Sequence, residues 1–423
     1  MKDDFDAVIG YSGIKKELTR LADILKNTEK YKRLGVHSPK GVLLYGKPGT
    51  GKTTMADCFI KLSGRKSYVC RKTKADGDFI DKMVDVFEEA KNNAPSIVLL
   101  DDIDKYTERD DEHAEEFAAV QACMDNIGEE EVFVIATANT LNVLPDSLLR
   151  DGRLGKQLKF EFPTGHEAEE IIHYYLRDKH VSEDVDPGWM SRMLNGRSCA
   201  ALENIINEAG IIAAFANHQE IAEEDIIESA LNEIFSSAEG NLPETPDACR
   251  RVACHEAGHL VIGELLRPGS TTIASIRSDS ESRGTLGFVH NYQGEGVEFF
   301  FEEYEKKLLR VLGGKAATEI VYGTSDPGAN SDLHVAFDVA ERMVDNYCSY
   351  GFDKWIQDSC EGSMVKERRN MQMSALLDIS YAKARKMLAE HRAFLDATTD
   401  ALCTKVTITE CDIREIREAY VFN

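Results

Sequence analysis

The chain has 423 residues, more than one ordinary hydrophobic core holds, and at roughly 150 residues per domain it points to about three units. Its 50 Lys and Arg against 74 Asp and Glu leave a net charge of −24, so the chain as a whole repels phosphate backbones and anionic lipid surfaces. With 43% hydrophobic and 29% charged residues it has the composition of a folded protein, and nucleic acid is not an expected partner.

Ten cysteines are scattered without a C-x-x-C pair. That argues against a disulfide framework or a zinc ribbon and for the reducing cytoplasm. The start, M-K-D-D-F-D, is acidic, and no run approaches the roughly 18 apolar residues of a membrane span. The chain as it stands is expected neither to cross nor to enter a membrane.

Along the first 165 residues, short apolar runs alternate with helical stretches. The runs are G-V-L-L-Y-G from Gly41 to Gly46, I-V-L-L-D-D from Ile97 to Asp102, and V-F-V-I-A-T-A from Val132 to Ala138. Such runs predict a parallel, doubly wound sheet, hence an α/β subdomain over 1–165. Residues 166–239 read as helical, with apolar positions three and four apart in L-E-N-I-I-N-E-A-G-I-I-A-A-F. Gly240, Pro243 and Pro246 mark 240–247 as a linker, and 248–423 is read as a mainly α-helical domain with a strand-like insert around T-T-I-A-S-I-R and G-T-L-G-F-V-H.

Gly46-Lys47-Pro48-Gly49-Thr50-Gly51-Lys52-Thr53 matches G-x-x-x-x-G-K-[ST] between an apolar strand and a helix that is predicted to start at Thr54. In that setting backbone N–H groups wrap the phosphates of ATP, Lys52 reaches the β and γ oxygens, and the Thr53 hydroxyl faces Mg²⁺. Asp101 ends the next apolar strand, where a second carboxylate would hold the Mg²⁺, and Asp102 would orient the attacking water. Asn139 closes the following strand, within reach of the γ-phosphate. Arg150 and Arg153 in L-L-R-D-G-R-L are read either as solvated surface residues or as arginines offered to a neighbouring subunit's phosphate.

The second chemical motif is H-E-x-x-H in R-V-A-C-H-E-A-G-H-L-V-I. Residues four apart share a helix face, so His255 and His259 can bind one Zn²⁺, while Glu256 takes a proton from the attacking water. With 11 His in the chain, a chance match is expected only about 0.03 times. Such a site needs a third protein ligand, and Glu319 and Asp332 both lie downstream on predicted helices; spacing leaves the choice between them open.

The run from F-D-A-V-I-G-Y-S-G-I-K-K-E-L through the P-loop, A-K-N-N-A-P-S-I-V-L-L-D-D-I-D and L-P-D-S-L-L-R-D-G-R resembles an AAA+ ATPase module, and within that superfamily the FtsH-type ATP-dependent metalloproteases. G-G-K-A-A-T-E-I-V-Y-G followed by G-A-N-S-D-L resembles the FtsH peptidase domain, so the resemblance spans nearly the whole chain. It implies that Asp332 completes the zinc site, that Asp101 and Asp102 form the Walker B pair, and that Asn139 is the first sensor. It also implies that Arg150 and Arg153 act in trans within a ring, usually a homo-hexamer. The segment Arg283 to Val289 resembles the strand along which the family lays an extended substrate.

An ATP-dependent zinc endopeptidase that unfolds and degrades proteins is therefore expected, with Zn²⁺, ATP and Mg²⁺ as cofactors. The alternatives are an ATP-regulated peptidase that does not thread its substrates, and an AAA+ remodelling factor with a non-catalytic zinc site. Four features depart from the family. Its transmembrane helices have no counterpart ahead of the ATPase in this sequence, as expected either of a naturally soluble, cytoplasmic relative or of a truncated piece of a longer protein. Asp102 stands where Glu is usual, which predicts slow hydrolysis; Ala75-Asp76-Gly77 replaces an aromatic pore loop; and Gly152-Arg153-Leu154-Gly155-Lys156 replaces G-R-F-D-R.

Overall fold

The computed structural model describes residues 5, 8–35, 38–72, 78–107, 115–235, 242–277, 287–292, 294, 300–324, 327–347 and 363–421. The expected pore loop, Ala75-Asp76-Gly77, lies outside them, as does most of the expected substrate strand before Gly287. The chain divides into two compact units. One runs to Lys179 and takes in Asn195–Asn207; the other comprises His180–Leu194 and the residues from Glu208 onward.

In the first unit five parallel strands, β1 (Gly41–Gly46), β2 (Lys66–Arg71), β3 (Ser96–Asp101), β4 (Val132–Ala138) and β5 (Lys156–Phe160), stand in the order β2-β3-β4-β1-β5. Successive side chains leave opposite faces of a strand, so each central apolar run feeds two cores. Val42, Leu44, Ile97, Leu99, Phe133 and Ile135 join Leu18, Met55 and Phe59 in one core, and Leu43, Val98, Leu100 and Val134 join Met83, Phe87 and Phe117 in the other. β2 and β5, absent from the sequence reading, are the sheet's outer strands; their exposed alternate residues break the apolar run that betrays a central strand. All five carboxyl ends share one edge, which gathers Gly46, Asp101 and Asn139.

Helices Gly165–Leu176, Pro187–Met193, Cys199–Phe215 and Glu223–Phe235 follow. The next, Pro246–Leu266, starts inside the expected linker, with Pro246 in its first turn and the Thr245 Oγ1 accepting from the Ala248 N–H at 3.1 Å. At 1.5 Å per residue it is about 32 Å long. Leu260, Val261 and Ile262 are fully buried against Ala316, Phe394 and Leu402, each contributing about 1.5–3 kcal/mol on burial.

Helices Phe301–Val311, Gly313–Tyr322, Asn330–Glu341, Ser363–Glu390, Arg392–Lys405 and Glu410–Val421 complete the second unit with a small antiparallel sheet. There β6 (Thr271–Ser275) lies between β7 (Phe288–Asn291) and β8 (Thr407–Thr409), so β7 forms an edge among the described residues. No disulfide joins the eight described cysteines, and among the described residues no helix is long and apolar enough to cross a membrane.

Candidate active site and nucleotide pocket

On the helix Pro246–Leu266, His255 and His259 stand one turn apart and share a face, with their ring centroids 4.7 Å apart. Asp332, in the first turn of the helix Asn330–Glu341, brings its Oδ2 to 2.9 Å from His255 Nε2 and 3.1 Å from His259 Nε2, and the two Nε2 atoms are 3.1 Å apart. The other carboxylate that spacing allowed, Glu319, is instead ion-paired to Lys315 and, at 3.7 Å, to Arg385.

Second contacts orient this cluster. His259 Nδ1 lies 2.8 Å from the Arg310 carbonyl oxygen, which only accepts, so Nδ1 carries the hydrogen and Nε2 faces the cluster. Gly314 leaves the space that the rings occupy: a Cβ there would sit 2.5 Å from His259 Nε2 and 2.6 Å from His255 Nε2. Burial disfavours the His259 cation, but the hydrogen bond and charge of Asp332 outweigh it and push the ring up to about 9. Burial also opposes ionisation of Asp332, and the two histidines overcome it, holding the carboxyl well below the carboxylate range. Two imidazole nitrogens and one carboxylate oxygen, cradled by a glycine and steadied by a carbonyl, fit Zn²⁺.

Glu256 is 6% exposed, and burial raises its pKa against the pull of His255 and His259. It borders the same cavity of about 640 Å³ as the three residues above. β7 also lines that cavity, as does Gly287 just before it, where a Cβ would meet the Glu256 side chain at 2.8 Å.

In the first unit the P-loop turns through Gly49 and Gly51, both at positive φ, into the helix Lys52–Ser63. That helix starts two residues before the predicted Thr54, which sets Lys52 and Thr53 in its first turn, at the end where N–H groups and the helix dipole favour phosphate. Lys52 Nζ donates to the carbonyls of Gly46 and Lys47 at 2.7 and 2.9 Å and to Asn139 Oδ1 at 3.0 Å. Thr50 Oγ1 donates to the Lys47 carbonyl at 2.9 Å, and the Gly49 carbonyl accepts from the Ala200 N–H at 3.1 Å.

Asp101 is 2% exposed at the end of β3. Its Oδ1 accepts from Thr53 and Thr137 at 3.0 and 2.7 Å, and its Oδ2 from Arg71 Nε at 2.8 Å. Burial works against its charge, yet these bonds prevail and hold the carboxyl below its usual range. Asp102 lies just past the strand, in the left-handed region at φ +53°, its N–H on Thr137 Oγ1 and its Oδ2 2.7 Å from Lys105 Nζ.

The profile of the AAA family, ATPases associated with various cellular activities, matches residues 42–162, and that of peptidase family M41 matches 245–416. An ATP-dependent zinc metalloprotease FtsH 2 of Thermoanaerobacter sp. (strain X514) is 30% identical over 98% of this chain and 82% of its own length. The chain belongs to the FtsH family of ATP-dependent zinc metalloproteases. An FtsH 2 of Petrotoga mobilis is likewise 30% identical, over 99% of this chain and 71% of its own length, and an FtsH of Photobacterium profundum is 29% identical over 98% and 64%.

Within this FtsH-type chain the two candidate trans-acting arginines part company. Arg150 is exposed, with no side-chain hydrogen bond or ion pair among the described residues, its charge acting only weakly on Asp125. Arg153 is 7% exposed, and its guanidinium is taken up within the chain by Asp125 at 2.6 and 2.9 Å, Gln121 at 2.9 Å and the Ser147 carbonyl at 2.6 Å. The reading of Arg153 as a solvated loop residue is therefore replaced by a buried clamp on the loop that carries Arg150.

Several residues that contact the candidate site residues escaped the sequence reading. Thr137 had a signal: it lies at the carboxyl end of β4, two residues before Asn139, where the sheet edge gathers the candidate site residues. Arg71 had one only through pairing, since strand register sets it opposite Asp101. Gly313-Gly314 had one in composition, because adjacent glycines near a helix start each cost about 1 kcal/mol and need a reason.

Proposed function

We propose that this chain degrades proteins by zinc-dependent hydrolysis of the peptide bond, coupled to ATP turnover in its AAA module. The observation that carries the reading is the convergence of His255, His259 and Asp332 beside the buried Glu256, on a cavity walled by an edge strand. His255, His259 and Asp332 hold the zinc, which when bound supplies Lewis acidity toward water and the scissile carbonyl. Glu256 takes the proton of the attacking water on its carboxylate and returns it to the leaving amine. Its burial favours the protonated state it must pass through.

β7, an outer strand of its sheet among the described residues, adds an extended substrate as a further strand, which reads backbone rather than sequence. In the ATPase, Gly46 to Thr54 cradle the triphosphate, with Lys52 on the β and γ oxygens. Thr53 and Asp101 take the Mg²⁺, Asp102 orients water, and Asn139 sits against the γ-phosphate side through Lys52. Arg150 reaches the neighbouring subunit's nucleotide in a homo-hexameric ring, and Arg153 positions its loop. Described cysteines joined by no disulfide suit the reducing cytoplasm as its compartment.

Folded proteins hide their backbone, so ATP is needed to unfold them first. A tightly folded substrate with an unstructured tail tests this: the coupled protease degrades it only with hydrolysable ATP. Cleavage confined to the tail would favour a peptidase that does not thread.

A further inference from the structure

Arg310 is the next-to-last residue of the helix Phe301–Val311, three residues before the helix that carries Gly314, and it borders the cavity of the His255, His259 and Asp332 cluster. Its carbonyl is committed to His259. Its guanidinium has no hydrogen-bond or ion-pair partner among the described residues, although the side chain is only partly exposed. The stem crosses the HExxH helix one turn beyond His259, with Cδ 3.6 Å from where a Gly263 Cβ would lie. Asn291, the last residue of β7, reaches the same spot, its Oδ1 2.9 Å from that position.

Charge around it is lopsided. On the far side of Arg310 a small recess is bounded by Arg267, Glu303 and Lys306. There the one carboxylate, Glu303, already pairs with Arg267 at 2.9 Å and Lys306 at 2.8 Å. Burial, then the nearby Arg267, disfavour the Arg310 cation, with Glu303 offsetting them only in part. A guanidinium stays charged and offers a planar fork of donors that matches a carboxylate. In a chain of net charge −24, an arginine that borders the peptidase cavity with neither a hydrogen bond nor an ion pair among the described residues has donors to offer an incoming anion.

We infer that Arg310 is a substrate-binding residue that takes a carboxylate of the peptide lying along β7, and so favours acidic peptides. This rests on the peptidase reading above. The segment from Gly287, at Glu256, through β7 to Asn291, at Arg310, spans four residue steps, so the carboxylate lies within about four residues, or about 13 Å, of the bond cut. It comes either from an Asp or Glu side chain or from the substrate's C-terminus.

Binding and cleavage test this separately. The zinc-loaded Glu256→Gln protein is titrated by fluorescence anisotropy with unstructured peptides that carry Glu or Gln near the centre, each with a free or an amidated C-terminus. The same peptides are titrated against Arg310→Gln and Arg310→Lys added to that background, with thermal melts to confirm folding. The Arg310 carbonyl remains in both variants. The carboxylate form should bind roughly tenfold or more tighter than its amide, as for a charge-assisted hydrogen bond, with the preference lost in Arg310→Gln and partly kept in Arg310→Lys. A preference for Glu over Gln assigns the side chain, and one for the free terminus assigns the C-terminus. Equal binding of acid and amide, or a preference that survives Arg310→Gln, overturns the inference. Loss of cleavage of every peptide by the Glu256-intact protein would instead overturn the peptidase reading, whatever the binding ratio.

Discussion

Arg71 closes β2 directly opposite Asp101 at the end of β3, and its guanidinium holds the carboxylate oxygen that Thr53 and Thr137 leave free. A cation of the chain thus sits on the carboxylate proposed to face Mg²⁺. Asp101 has two oxygens and three donors, so metal and guanidinium compete for Oδ2.

Replacing Arg71 should therefore ease magnesium entry. Arg71 is 54% exposed, so solvent screens the pair and its worth is about 1 kcal/mol. Arg71→Met should lower the Mg²⁺ concentration for half-maximal ATP turnover by about fivefold, the equivalent of that energy. A Mg²⁺ titration of ATPase rate reads this directly, and an unchanged or higher requirement would show that Arg71 is not a competitor.

Asp102 is one methylene shorter than the family's usual Glu, and Lys105 holds it at 2.7 Å. Both features draw its carboxylate away from the water that it is proposed to orient. Asp102→Glu should raise ATP turnover severalfold with little change in KM for ATP. No gain in kcat would show that the length of this side chain does not limit hydrolysis.

Gly314 is the one position of its helix where a Cβ would strike both histidine rings. Gly314→Ala should cost roughly 10–100-fold in zinc affinity, as displaced ligand-orienting contacts do. The same clash should strain the metal-free fold, offset in part by the about 1 kcal/mol by which alanine favours helix. Zinc retained after dialysis, beside a thermal melt of the metal-free form, separates the two effects; full retention would contradict the cradle.

Metal uptake should also depend on pH in a set direction. His259 is raised to about 9 in the metal-free protein, so near neutrality it holds a proton that zinc must displace. Its pairing with Asp332 stabilises the metal-free fold fully below about 6.5, the unfolded histidine value, and that stability fades as pH rises through about 9. Zinc affinity should accordingly rise with pH across that window, with proton release on uptake that vanishes above it. Calorimetry in buffers of different ionisation heat counts the protons, and a release independent of pH would contradict the His259–Asp332 pairing.

The legible parts of the sequence were those whose chemistry is contiguous. The P-loop and H-E-x-x-H each fit within one strand–loop–helix or one helical turn, so spacing alone placed Lys52 beside Thr53 and His255 beside His259. β1, β3 and β4 were legible because burial on both faces demands an unbroken apolar run. Asp332 was not separable from Glu319 by spacing, because their difference is a tertiary one: Glu319 finds Lys315 one turn away on its own helix. Arg153 and Arg310 were opaque for the same reason. Whether an arginine in a polar stretch meets Asp125 or an empty cavity wall depends on helices that the local sequence does not mention.

The central claim, that one chain couples ATP turnover to a zinc peptidase, is tested most directly by the rate of casein degradation. The zinc-loaded protein is compared with and without ATP, with Glu256→Gln as the blank. A rate that requires both ATP and Glu256 is predicted. A Glu256-dependent rate indifferent to ATP would contradict the coupling, and no rate above the blank would contradict the peptidase itself.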